Sequence, residues 1–168
     1  MEFYLIIIFV TALILSYPYI RMFFKRLRIF CSIDRKRYTV TSWLTLFSPE
    51  RISRGFTLTD KETGETTDVY IIFAHNKRET IELTETQFRI KKRLRIVGGR
   101  IGAGNTFSWH TPFVSLPSYI TKEKTKKSYI LFNPVPLEIK YNYKDVYPDD
   151  VIFGSEIVTG TKLLSKID

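Results

Sequence analysis

Phe56-Thr-Leu-Thr-Asp-Lys-Glu-Thr-Gly-Glu-Thr-Thr-Asp-Val-Tyr-Ile-Ile-Phe-Ala74 is two strand-forming runs around a polar turn. Phe56 to Asp60 and Thr66 to Ala74 are rich in β-branched and aromatic residues, which suit a pleated, half-buried surface. Lys61 to Glu65 supply the polar turn, with Gly64 free to take the left-handed backbone that hairpins favour. The stretch predicts a β-hairpin.

The same signature recurs along the chain. Tyr38-Thr-Val-Thr-Ser-Trp-Leu-Thr-Leu-Phe47 predicts a strand, broken by Ser48-Pro-Glu50. Residues 79–83 predict a short strand after a turn at Asn76-Lys77. Thr106 to His110, Ser128 to Asn133, Leu137 to Tyr143, Val151 to Gly154 and Glu156 to Thr159 are further strand-like runs. Residues 111–117 read as an extended connection and 121–127 as a charged turn. Thr161 to Ile167 suit a short helix or a final strand. About eight to ten short strands with regular turn signals predict a mainly β domain, a small antiparallel β-barrel or β-sandwich. A pleckstrin-like partial barrel with a C-terminal helix is the alternative.

Residues 88–97 carry the clearest chemistry. Phe88, Ile90, Leu94 and Ile96 take even positions, and Arg89, Lys91, Arg93 and Arg95 take odd ones. That period of two is a strand with one buried and one basic face. Lys92 interrupts the apolar row and predicts a bulge or an edge. The four basic residues form a ladder about 20 Å long, suited to phosphate groups. Its competing role is a solvated face that discourages edge-to-edge pairing. Gly98-Gly-Arg-Ile-Gly-Ala-Gly-Asn105 follows and lacks the dinucleotide and P-loop patterns. It reads as a hairpin connection, with Arg100 as an added anion contact.

At the other end of the chain, Phe3 to Ile20 contains no charged side chain. A largely apolar run of about eighteen residues makes a helix about 27 Å long, near the thickness of a bilayer's hydrocarbon core. Apolar character on every face distinguishes a membrane span from an amphipathic core helix. Pro18 predicts a bend or an end near the interface, with Tyr17 and Tyr19 in the aromatic belt. A secretory signal is disfavoured, because no A-x-A site follows the apolar core. Arg21, Lys25, Arg26, Arg28, Arg35, Lys36 and Arg37 follow the span, opposed only by Asp34. The positive-inside rule therefore predicts a cytoplasmic C-terminal side. Arg21, Lys25, Arg26 and Arg28 are the expected lipid contacts of a helix tail whose basic side chains snorkel to the headgroups. The expected organisation is an anchor over 1–20, a basic juxtamembrane segment over 21–36, and a β-rich cytoplasmic domain over 37–168.

Composition narrows the function. The net charge of +9 comes partly from the juxtamembrane cluster, so a nucleic-acid partner is disfavoured. Cys31 is the only cysteine, excludes an internal disulfide, and is expected to be a small buried apolar residue. His75 and His110 form no zinc-type array, and Ser108-Trp-His110 is no nucleophile elbow. Asp145, Asp149 and Asp150 lack the spacing of a calcium loop and read as turn formers. Trp43, Trp109, Phe107, Phe113 and Tyr119 are mostly core candidates, with a barrel mouth as their other setting.

No catalytic set and no cofactor motif is present in these patterns, so the reading leans away from an enzyme. The leading expectation is a single-pass, membrane-anchored binding module for a protein partner or anionic lipid. The alternatives are a membrane sensor that takes a small phosphate-bearing ligand such as a cyclic nucleotide, and an accessory subunit of a larger membrane complex.

Overall fold

The computed structural model describes residues 2–41, 48, 50–74, 78–95, 106–159 and 162–167. It begins with one helix, α1 (Glu2–Ser32), which is long and apolar enough to cross a membrane. The helix continues through Pro18, although proline removes one backbone donor and crowds the preceding turn. Of the two expectations for Pro18, an end of the helix is therefore not found. Up to Ile20 the described apolar side chains are exposed, among them Tyr4, Ile6, Ile8, Ile14, Leu15 and Tyr17.

The opening hairpin is present as β2 (Ile52–Asp60) and β3 (Thr66–Ile72), paired antiparallel. Asp60 organises its turn. Its Oδ1 accepts the backbone N–H groups of Glu62 (2.8 Å) and Thr63 (3.3 Å), and its Oδ2 accepts Arg37 Nε at 3.2 Å. These donors hold the Asp60 carboxyl below its ordinary value, the Glu62 N–H contributing most. β1 (Tyr38–Thr41) pairs with the far half of β2. Residues 42–47 of the longer expected strand lie outside the described residues.

After β3 the chain builds β4 (Glu79–Leu83), β5 (Gln87–Arg95), β6 (Thr106–His110) and β7 (Val114–Ser115). A short helix, α2 (Ser118–Thr121), leads back to β8 (Ser128–Phe132). Two hairpins follow: β9 (Glu138–Tyr141) with β10 (Lys144–Val146), and β11 (Val151–Ile152) with β12 (Ser155–Thr159). Each turns on two residues of positive φ, Asn142 and Tyr143 in one, Phe153 and Gly154 in the other, as two-residue hairpin loops require. The chain's last described element is α3 (Lys162–Ile167).

The strands form two mixed sheets. One has the order β1-β2-β3-β8-β12-β11, the other β10-β9-β4-β5-β6 with β7 also on β5. β8 runs parallel to both β3 and β12, and β9 runs parallel to β4. The all-antiparallel expectation is thus corrected, and neither sheet closes into a barrel. The physical cause is burial on both faces. Val69, Ile71, Tyr129, Leu131 and Val158 cluster with Ile33, Leu163 and Ile167 from the helical side. Their alternating neighbours Tyr70, Ile72, Ile130, Phe132 and Ile157 cluster with Ile81, Leu83 and Ile139 of the second sheet. Strands buried on both faces carry continuous apolar runs and accept parallel neighbours reached by long connections.

Between Ser53 and Phe56 the β2–β3 register shifts: Ser53 faces Ile71 and Phe56 faces Val69, so Arg54 and Gly55 together oppose Tyr70. This is a bulge, and Gly55 adopts φ +63° in it. A Cβ on Gly55 would stand 2.1 Å from the Val69 carbonyl oxygen.

Two outcomes follow from these positions. Gly55→Ala should cost more than about 1 kcal/mol, because positive φ and the Val69 contact both oppose a side chain. Denaturant unfolding of the detergent-solubilised chain, followed by circular dichroism, measures it. Because the Asp60 carboxyl is depressed in the folded state, its stabilising contribution is present above the ordinary carboxylate pKa. That contribution is lost as pH falls through the lowered folded value. Asp60→Asn should therefore flatten the acid limb of the stability profile and leave the neutral-to-alkaline limb's shape unchanged.

Candidate functional site

Three features combine charge with geometry: the seat of α1, the outer face of the second sheet, and a cavity on the first sheet.

From Met22 onward one side of α1 is buried against the domain, and its last turns reach the first sheet. There Ile29 packs on the cluster around Phe56 and Val69, and the Phe30 ring centre stands 6.4 Å from that of Phe56. Met22, Arg26 and Ile29 recur at spacings of four and three, one stripe of a helix, and Ile33 follows four positions later, just past its end. Met22, Arg26 and Ile33 are buried and Ile29 half-buried. Arg26 is 0% exposed; its guanidinium donates to the Ser48 and Glu50 carbonyls, each at 2.6 Å. The expectation that Arg26 touches lipid is therefore not what the structure places there. The remaining juxtamembrane residues point outward: Arg21 and Arg28 are exposed, with Phe24 and Cys31, and Lys25 is half-exposed. Cys31 is thus no core residue, because it falls on the side of α1 opposite the seated stripe. The Asn133 side-chain amide also donates to the Lys25 carbonyl at 3.4 Å.

In the second sheet, β5 is an interior strand, and the expected basic row is partly neutralised. Arg89 sits directly opposite Glu82 and is ion-paired with it, while its guanidinium covers the Phe113 ring at 4.5 Å. Across the strands Asp145, Lys140, Glu82 and Arg89 form a row of alternating charge. Lys140 Nζ reaches Asp145 at 3.3 Å. Lys91 faces Thr80 on one side and His110 on the other, and has no ion pair among the described residues. Arg93 and Arg95 extend β5 beyond the start of β4, paired there with β6. Arg100, His75, Trp43 and the glycine-rich loop lie outside the described residues.

Lys92 makes no bulge. The β4–β5 register runs unbroken through Glu79 opposite Lys92. Glu79 is 0% exposed and lies 3.7 Å from Lys92 Nζ and 3.5 Å from Arg51 Nη1. A buried carboxylate needs cationic partners, and this explains a lysine in the apolar row. Burial lowers the Arg51 guanidinium from its ordinary value, and Glu79 opposes that shift. Arg51 adjoins Glu50, whose carbonyl receives Arg26. The arrangement puts the β5–β6 extension at the end of the domain where α1 arrives.

The third feature is a cavity of about 370 Å³ over the first sheet. Thr57, Asp68 and Tyr70 form its floor, and α2 with the 122–126 turn forms its wall. The bulge at Gly55 turns Arg54 into it, and the Arg54 guanidinium lies 5.1 Å from the Tyr119 ring centre. Tyr119 stacks on Tyr70 at 6.1 Å, and its hydroxyl donates to the Ile52 carbonyl at 3.1 Å. Lys124 Nζ sits 4.4 Å from the Tyr70 ring centre and also donates to the Tyr119 carbonyl. Burial raises both tyrosine hydroxyls from their ordinary value and lowers the Lys124 ammonium. The sequence signal for this feature is Arg54-Gly55, an isolated glycine inside a strand pattern, which marks a bulge.

The other acidic candidates serve the fold. Asp149 pairs with Lys166 at 3.0 Å, and Asp150 Oδ2 accepts the Tyr147 N–H at 2.8 Å. His110 is half-buried, Trp109 is exposed beneath Lys92, and Phe107 lies in β6. Among the described residues no group of three or more His, Cys, Asp or Glu side chains is placed to hold a metal ion.

No protein-family model matches the chain, and no curated protein or solved structure matches it.

Arg26 is the polar tie between α1 and the β-domain. Arg26→Ala should destabilise the seat by about 2–4 kcal/mol, because the Ser48 and Glu50 carbonyls lose a charged donor and the fully buried side chain is removed. Hydrogen exchange should quicken around residues 48–52 and leave β8 protected.

Proposed function

We propose that the chain is a single-pass membrane protein whose non-enzymatic β-domain works on the cytoplasmic face, at anionic lipid. The observation that carries this reading is the continuity of α1. One helix has an all-apolar, exposed first part and a second part seated on the domain. An exposed apolar surface of that length is costly in water and matched to hydrocarbon.

The outward stripe beyond the apolar part supports a lipid role. Arg21, Lys25 and Arg28 flank exposed Phe24, a pairing of cationic and apolar side chains that suits the headgroup boundary. Each basic residue near an anionic surface contributes about 1 kcal/mol. Lys91 of β5 belongs to the same reading, and Arg93, Arg95 and Arg100 join it by sequence alone. The N-out, C-in orientation rests on the excess of basic residues after the apolar run. Arg89, occupied by Glu82 and Phe113, has a smaller share in this reading.

Lipid carried through purification in a mild detergent tests the surface. The wild type should retain anionic lipid enriched over the bulk membrane, and Arg21→Glu with Arg28→Glu should reduce that enrichment severalfold. Equal enrichment in both would end the lipid reading. For orientation, Glu62→Cys in a Cys31→Ser background places one thiol in the exposed β2–β3 turn. A membrane-impermeant maleimide should label it only after lysis; labelling of intact cells would reverse the topology.

A further inference from the structure

The cavity bounded by Arg54, Tyr119 and the 122–126 turn belongs neither to the seat of α1 nor to the basic row of β5. Its charge is unbalanced: Arg54, Lys122, Lys124 and Lys126 face only Asp68 and Glu123. Asp68 is engaged by the Thr57 hydroxyl, which donates to Oδ1 at 2.7 Å. Arg54, Lys122 and Lys126 make no ion pair among the described residues. Four cations held around one concavity repel one another, and an anion between them relieves that repulsion.

The backbone is shaped to produce this. An ordinary strand would have kept Arg54 in register; the bulge at Gly55 re-aims it over Tyr119. The bulge tolerates only glycine, because of the Val69 carbonyl. On the opposite wall, the Lys124 ammonium is drawn inward by the Tyr119 carbonyl and the Tyr70 ring. The space, about 370 Å³, is within the range of small-ligand pockets. Its walls mix aromatic rings with planar and point cations, a combination that holds phosphate by charge and a flat group by stacking.

We propose that this cavity is a binding site for a phosphate-bearing small molecule of about mononucleotide size. Arg54 and Lys124 hold the phosphate, Lys122 and Lys126 draw it in, and the Tyr119 side of the wall receives the organic portion. The site does not depend on the lipid reading of α1, since none of its residues belongs to that surface. The phosphate has two possible sources, a soluble metabolite or the headgroup of a phosphorylated lipid.

Calorimetric titration of the full chain in a non-ionic detergent, with adenosine 5′-monophosphate and inorganic phosphate as probes, tests the proposal. At low ionic strength the nucleotide should bind saturably with a dissociation constant below about 1 mM, and added salt should weaken it. Arg54→Glu with Lys126→Glu should weaken binding at least tenfold, whereas Arg54→Lys should stay within threefold. Lys144→Glu with Lys162→Glu makes the same charge change away from the cavity and should stay within twofold. In nanodiscs, nucleotide binding blocked by a phosphoinositide identifies the headgroup as the source; binding unaffected by it identifies a soluble phosphate. Absence of saturable binding of both probes, or equal loss in the two double reversals, would overturn the proposal.

Discussion

From Val69 to Ile72 of β3, and along all of β8, both faces are buried, and the rest of the architecture answers to that constraint. Each is flanked on both edges by other strands and carries apolar side chains up and down. A sheet of this kind requires cover on two sides. The second sheet supplies one cover, and α1 with α3 supplies the other. The parallel pairing of β3 with β8 follows, because the chain must leave to build the covering sheet and return beside the strand it left. The end of α1 thus packs directly against one of the domain's two core clusters, through Ile29.

Charge is organised around the same frame. Two charged groups that enter the interior meet complementary ones: Glu79 lies beside Arg51 and Lys92, and Arg26 donates to the carbonyls of Ser48 and Glu50. On the outer face of the second sheet, Asp145, Lys140, Glu82 and Arg89 largely cancel. Positive charge outside these pairings includes two groups of interest: the outward flank of α1 at Arg21 and Arg28, and the cavity beside Tyr119. Net charge alone distinguishes neither from a uniformly basic surface, whereas the pairing of each group does.

Local sequence carried the elements well and their assembly poorly. The β2–β3 hairpin was legible because Gly64 and its polar neighbours separate two β-branched runs. The apolar start of α1 was legible because nothing charged interrupts it. Strand direction was hidden, since a buried run such as Val69 to Ala74 has the same composition in parallel and antiparallel company. The seated stripe of α1 was hidden by Arg26, a residue type that patterns assign to water or headgroups and that only tertiary carbonyls could bring inside. Lys92 misled for the same reason: its partner Glu79 is 13 positions away, on a facing strand. The cavity escaped because its wall comes from 122–126 and its floor from β2 and β3, segments that meet only through the return of the chain to β8.

The seating of α1 has a mechanical consequence. Beyond its apolar part the same helix continues without a break to Ser32, its second part buried along Met22, Arg26 and Ile29. A helix crossing a bilayer tilts to match its apolar length to the hydrocarbon thickness. On the proposal that α1 crosses a bilayer, such a tilt is not absorbed at a joint, and the whole domain leans with its shaft. The thickness of that membrane would then set the angle at which the domain meets the lipid surface, and a rotation of the helix about its own axis would turn the domain through the same arc.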